Sequence, residues 1–181
     1  MAAVPEANIQ VAREGREELE LVYEKALAEF GDGLYRLASS YESVADARED
    51  LLQEIRLALW KALPSFRGEC SVRTFVYRVA HNRGLTHVWR RKAQAQASED
   101  FPEPGDPRPD PERSAIRNAD HESLMAAIRQ LPVPYRQVIT MALEELPQAE
   151  MAAVLGTSEG NIAVRLTRAR KMLRQELGAK R

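Results

Sequence analysis

Apolar residues recur at helical spacing along almost the whole chain. Leu51, Leu52, Ile55, Leu59 and Leu63 mark one face of a helix over 46–63, while Asp50, Gln53, Glu54 and Lys61 lie largely off it. Pro64 stops that helix, and a short loop over 65–71 contains Gly68. A second helix over 72–92 turns Phe75, Val76, Val79 and Ala80 inward and carries Arg73, Arg78, Arg83, Arg90, Arg91 and Lys92. Upstream, 19–30 and 34–41 read as two helices around a Gly31-Asp32-Gly33 turn. Downstream, Leu124, Ile128 and Leu131 define a helix over 116–131, broken by Pro132 and Pro134. Val138, Ile139 and Ala142 define another over 135–143. No stretch alternates with period two and no internal repeat is present, so the fold expected is all-α.

The pattern is interrupted once, over 93–113. Five of the ten prolines fall there, at 102, 104, 107, 109 and 111. Proline lacks a backbone donor and restrains its predecessor, so an extended acidic linker is expected over 93–114. It would join two small helical domains, 19–92 and 115–177, with a disordered stretch before Leu19 and a short tail after Leu177. Each domain is near the size at which an independent core is marginal.

Charge sharpens this division. The net charge is −1. Residues 1–54 carry −8, 55–93 carry +8, 94–122 carry −5 and 123–181 carry +4. Two cationic blocks on a nearly neutral protein point to local polyanion sites. Other composition features exclude function classes. No apolar run is long enough to span a bilayer, and the first twenty residues lack the apolar core of a secretory signal, so a cytoplasmic protein without membrane insertion is expected. The single cysteine, Cys70, excludes an intramolecular disulfide, and His81, His87 and His121 lack ligand spacing. No nucleophile–base pair, phosphate loop or metal cluster is evident, so neither catalysis nor a cofactor or metal is expected.

The last sixty residues carry the most specific pattern. Pro147 suits a first helical turn, Met151, Val154 and Leu155 give that short helix an apolar face, and Gly156 suits a left-handed end. Ser158 can cap the next helix, in which Ile162, Leu166, Ala169 and Leu173 recur at intervals of four, three and four. A short helix, a glycine turn and a longer basic helix form a helix-turn-helix, whose second helix enters the DNA major groove N-terminus first. The residues expected nearest bases are Ser158, Glu159, Asn161 and Ala163, followed by Arg165, Arg168 and Lys171. A hairpin that only packs, with solvated arginines outside, is the plainer alternative.

With both segments read, the chain resembles a known family. DLLQEIRLALWKALPSFRGE followed by VRTFVYRVAHNRGLTHVWRRK is similar to the second domain of bacterial extracytoplasmic-function (ECF) sigma factors. LPVPYRQVITMALEELPQAEMAAVLGTSEGNIAVRLTRARKMLRQEL is similar to their fourth. The resemblance implies a sigma factor that directs RNA polymerase to promoters and assists their melting. By it, Asp50, Gln53, Glu54, Arg56, Leu57 and Trp60 would grip core polymerase. Arg67, Gly68, Ser71, Arg78, Asn82, Arg83, His87, Arg90 and Arg91 would open and read the minus-ten element, the loop trapping an unstacked base. Tyr77 is a candidate for base stacking, and Phe75 and Tyr77 are equally candidates for packing. The C-terminal helix would read the minus-thirty-five element. The linker would occupy a nucleic-acid channel of the polymerase. An anti-sigma partner is implied, and the free protein is expected to be a monomer.

There are departures. Ala163 and Val164 stand where the family commonly has a basic residue and serine, Asn161 where threonine is common, and Phe75 where tryptophan is common. Two competing readings are a helix-turn-helix regulator working without polymerase and a polymerase- or regulator-binding protein that reads no DNA.

Overall fold

The structure is a computed structural model that describes residues 6–97 and 115–178. Among the described residues are seven α-helices, α1 (Glu6–Tyr41), α2 (Ala45–Ala62), α3 (Val72–Ala97), α4 (Ala115–Gln130), α5 (Val133–Leu143), α6 (Gln148–Leu155) and α7 (Glu159–Gly178), and a 3-10 turn at Leu63–Ser65. No strand occurs among them. The extended linker expected from 93 begins later, because 93–97 are helical and continue α3. The rest of the linker, 98–114, and Met1–Pro5 lie outside the described residues.

Two further expectations are overturned. The two helices around Gly31-Asp32-Gly33 are a single helix, α1, and the stretch before Leu19, expected to be disordered, is part of that helix from Glu6 onward. Two glycines cost a helix roughly 1 kcal/mol each relative to alanine. Here the cost is outweighed because Ala26, Phe30, Leu34, Leu37, Ala38 and Tyr41 form one buried stripe that must stay in phase across the glycines.

The N-terminal module packs α1, α2 and α3 around Leu34, Leu37, Leu51, Ile55, Leu59, Val76 and Tyr77. The C-terminal module packs α4 to α7 around Ile128, Leu131, Met141, Met151, Ile162 and Leu166. Gly84 shows how tight the first module is. A Cβ there would lie 2.5 Å from the buried Tyr41 ring, so only glycine lets α3 approach α1.

The caps follow the sequence logic. Pro132 and Pro147 sit at helix starts, where no donor is missed. Gly156 closes α6 in the left-handed region (φ 62°). Ser158 Oγ accepts the Asn161 N–H at 3.3 Å and opens α7. The end of α5 is less orthodox. Leu146 N–H reaches the Met141 carbonyl and Glu145 N–H the Ala142 carbonyl, the paired bonds of a Schellman turn. The left-handed position is Glu145 (φ 56°), where glycine is usual. Leu146 and Met141 are both buried and hold the turn.

His81 is fully buried. Tyr41 Oη lies 3.0 Å from its Nδ1, and among the described residues its Nε2 has no partner. Burial drives the imidazole pKa down to about 3, so it stays neutral when folded. The unfolded chain takes up a proton near pH 6.5, so stability should fall as pH drops below that value, by roughly 1 kcal/mol per pH unit. Urea unfolding at pH 7.5 and 5 should show this loss, and His81→Gln, which keeps an acceptor for Tyr41, should flatten it. An equal pH slope in both proteins would exclude His81 as its source.

Candidate functional site

The basic helix α3 is placed by the α1–α2 scaffold. Ser71 Oγ accepts the Thr74 N–H at 3.0 Å and donates to Thr74 Oγ1 at 2.9 Å, so its hydroxyl starts the helix instead of standing open in the loop. Arg67, Gly68 and Ser71 are exposed on that loop, and Gly68 has φ 73°. Along α3, Arg78 and Asn82 are exposed and Arg83 is half-buried. Tyr77 is in the core, with its ring edge-on to Phe30, and Phe75 packs against Phe66 with centroids 5.0 Å apart. Of the two uses open to them, packing holds for both, and Tyr77 has no free face for a base.

Three further candidates on α3 meet carboxylates. His87 Nε2 lies 2.9 Å from Glu42 Oε2, and Arg91 bonds the same oxygen. Glu42 is buried at the end of α1. Burial by itself would raise its pKa, but the Val44 N–H, His87 and Arg91 together hold it below the usual carboxylate range. Arg90 makes a two-pronged pair with Glu54 (2.9 and 3.1 Å), which lowers the Glu54 pKa. These pairs brace the C-terminal half of α3 against α1 and α2, while Lys92 stays exposed.

The six polymerase candidates on α2 divide. Asp50, Gln53 and Leu57 are exposed along one stripe, and Leu57 is 52% exposed. Arg56 and Trp60 turn toward α1. The Arg56 carbonyl accepts the Tyr23 hydroxyl at 3.3 Å, and the Trp60 ring meets Tyr23 edge-on at 5.3 Å. Glu54 faces α3 through Arg90.

On α7, Ile162, Leu166 and Ala169 are buried as the periodicity requires. Ser158, Glu159, Asn161, Arg168 and Lys171 are exposed, and Ala163 and Arg165 are half-buried. Beside α7 runs an open groove of about 590 Å³, lined among others by Pro132, Tyr135, Asn161, Val164, Arg165 and Arg168.

Two features escaped the sequence reading. The first is Trp89, 65% exposed and one helical stripe along from Arg78 and Asn82. An aromatic residue directly before Arg90, Arg91 and Lys92 was the available signal. The second is the contact between the modules. Arg36 on α1 grips Glu144, at the end of α5, with two bonds of 2.6 Å. The Arg36 side chain is 38% exposed and that of Glu144 only 8%. The Tyr77 hydroxyl lies 3.4 Å from Glu144, and Arg73 donates to the Glu144 carbonyl. Burial, and then the Glu144 charge, raise the Tyr77 pKa well above its ordinary value. Farther along, Arg78 donates to the Ala153 carbonyl of α6 at 2.8 Å, and Arg129 on α4 to the Ser39 carbonyl at 2.9 Å. The Arg136 guanidinium stands 5.7 Å over the Tyr41 ring. These partners lie 67 to 108 positions apart, so no local pattern announces them.

Comparison with known proteins fits this two-module arrangement. Residues 27–94 match the family "Sigma-70 region 2" and residues 121–173 match "Sigma-70, region 4". The ECF RNA polymerase sigma factor SigM of Mycobacterium tuberculosis (strain ATCC 25618 / H37Rv) is 30% identical over 149 residues, covering 80% of this chain and 71% of that protein. The ECF RNA polymerase sigma-E factor of Escherichia coli (strain K12) is 27% identical over 147 residues, 76% of each. The solved sigma factor RpoE of Bartonella quintana, in complex with the anti-sigma factor NepR, superposes with a TM-score of 0.66 at 23% identity, covering 93% of this chain and 99% of that one. Two helical modules of this kind define a sigma-70-type transcription factor. The chain belongs to the ECF sigma factors, and it directs RNA polymerase to promoters. No helix among the described residues is long and apolar enough to cross a membrane.

Proposed function

We propose that the chain works as a two-point promoter reader that core polymerase opens before use. The observation that carries this is the double use of α3. Its outward cations are the side chains a minus-ten element would need, and Arg73 and Arg78 are already engaged by backbone carbonyls of the C-terminal module. The exposed Asp50–Gln53–Leu57 stripe on α2 offers acidic and apolar surface to a basic polymerase helix. With the modules apart, Arg67, Gly68, Ser71, Arg78, Asn82 and Arg83 would address the minus-ten element. Arg90, Arg91 and His87 would contact phosphate only by exchanging their carboxylate partners. Trp89 adds a stacking surface on the same face. Ser158, Glu159, Asn161, Ala163, Arg165, Arg168 and Lys171 would address the minus-thirty-five element from α7. The Bartonella quintana RpoE, solved with the anti-sigma factor NepR, makes an anti-sigma partner part of the same reading.

Run-off transcription with purified core polymerase on a library of random promoters tests this. Transcripts should start downstream of one enriched bipartite element, and the free protein should bind that element weakly. Tight, sequence-specific binding without polymerase would favour a stand-alone helix-turn-helix regulator. Capture by polymerase with no enriched element would favour a binding protein that reads no DNA.

A further inference from the structure

The outer face of α7 carries an apolar residue where a cationic reading helix would ordinarily be polar. Val164 is 50% exposed, one turn after Asn161 and one turn before Arg168. A β-branched residue with half its surface left in water is a poorer helix former than alanine, and here it lines the open groove beside α7. The asparagine carboxamide makes no hydrogen bond among the described residues. Only the Asn161 backbone N–H is used, by Ser158. The neighbours Arg165, Arg168 and Lys171 bring positive charge to both sides of the valine.

The major groove offers one apolar feature to such a side chain, the thymine C5-methyl group, and an asparagine carboxamide matches the N6/N7 edge of adenine. Three residues of helix rise about 4.5 Å, close to one base step of about 3.4 Å. Asn161 and Val164 can therefore address neighbouring base pairs. We propose that Val164 reads a thymine methyl group in the minus-thirty-five element, beside an adenine held by Asn161. This rests on the reading of α7 as the minus-thirty-five helix.

The test uses holoenzyme and the promoter element recovered by run-off selection. Each thymine of the minus-thirty-five element is replaced singly by deoxyuridine, which removes the methyl group and leaves base pairing intact. One replacement should weaken holoenzyme binding about fourfold, the worth of one methyl group withdrawn from water. In Val164→Ser holoenzyme, thymine and deoxyuridine at that position should bind alike. Val164→Ala should lie between, and the exposure of the side chain leaves both variants folded. An element without thymine, uniform tolerance of deoxyuridine, or a methyl preference that survives Val164→Ser would overturn the proposal. Arg165→Glu with Arg168→Glu separates the two levels. If that double variant loses the element while deoxyuridine has no effect in the wild type, only the methyl contact is wrong. If it binds unchanged, α7 is not the reading helix and both claims fall.

Discussion

Glu144→Ala is expected to part the two modules. The change removes both Arg36 bonds and the Tyr77 contact while leaving the Glu144 carbonyl for Arg73. A charged two-pronged pair with one end almost buried would be worth several kcal/mol if fully desolvated. Arg36 is more than a third exposed, so water offsets part of that, and about 1–2 kcal/mol is a fair figure. The closed-to-open ratio should fall roughly tenfold. Small-angle scattering of the free protein should show a larger radius of gyration, and binding to a single-stranded minus-ten oligonucleotide should rise without polymerase. Gly33→Ala approaches the same joint from the other side. Its Cβ would lie 2.3 Å from the Tyr77 hydroxyl and 2.7 Å from the Glu144 carboxylate. Tyr77 is locked in the core, so Glu144 must yield and some strain must also enter the first module. Gly31→Ala is the control. Nothing lies within 4 Å of a Cβ there, so that variant should stabilise α1 by up to about 1 kcal/mol with scattering unchanged. Identical scattering for Glu144→Ala and wild type would show that the pair does not hold the modules together.

The second large effect belongs to the reading helix. Arg165→Glu together with Arg168→Glu is expected to lower transcription from a promoter dependent on the minus-thirty-five element by more than a hundredfold. Each reversal removes a charge-assisted contact worth about 1.5–3 kcal/mol and adds repulsion against phosphate. The fold should survive, because the buried stripe of α7 is Ile162, Leu166 and Ala169, and neither arginine belongs to it. Circular dichroism and melting temperature check that point. Run-off yield on promoters with and without the element checks the loss. A double variant that transcribes both at wild-type level would exclude α7 from promoter choice.

Several surfaces take their meaning from contacts distant in sequence. Asp50 and Gln53 stand outward as their spacing implied, and Leu57 stands outward beside them. Their neighbour Glu54 is committed to Arg90, which lies on another helix, and no local pattern reveals that. The resemblance made His87 and Arg91 groups for DNA, yet both meet Glu42, which also accepts the Val44 N–H. Tyr77 was open to stacking or packing until the closeness of α1 and α5 left it no exposed face. The glycines divide in the same way. Gly156 was legible because a left-handed helix end is a local requirement, whereas Gly31 and Gly33 look alike in sequence and differ only in what stands opposite them.

Local chemistry is therefore enough to specify the helices, their inward stripes, the caps at Ser158 and Gly156, the alternation of charge and the motifs that mark an ECF sigma factor. Each depends on residues within a turn or two of one another. The tertiary structure decides the continuity of α1, the pairing of half the basic face of α3, and the clasp of Arg36, Arg73 and Tyr77 on Glu144. Those outcomes depend on groups some 35 to 110 positions apart, and a hydrogen bond of under 3 Å exists only once packing has brought its two ends together.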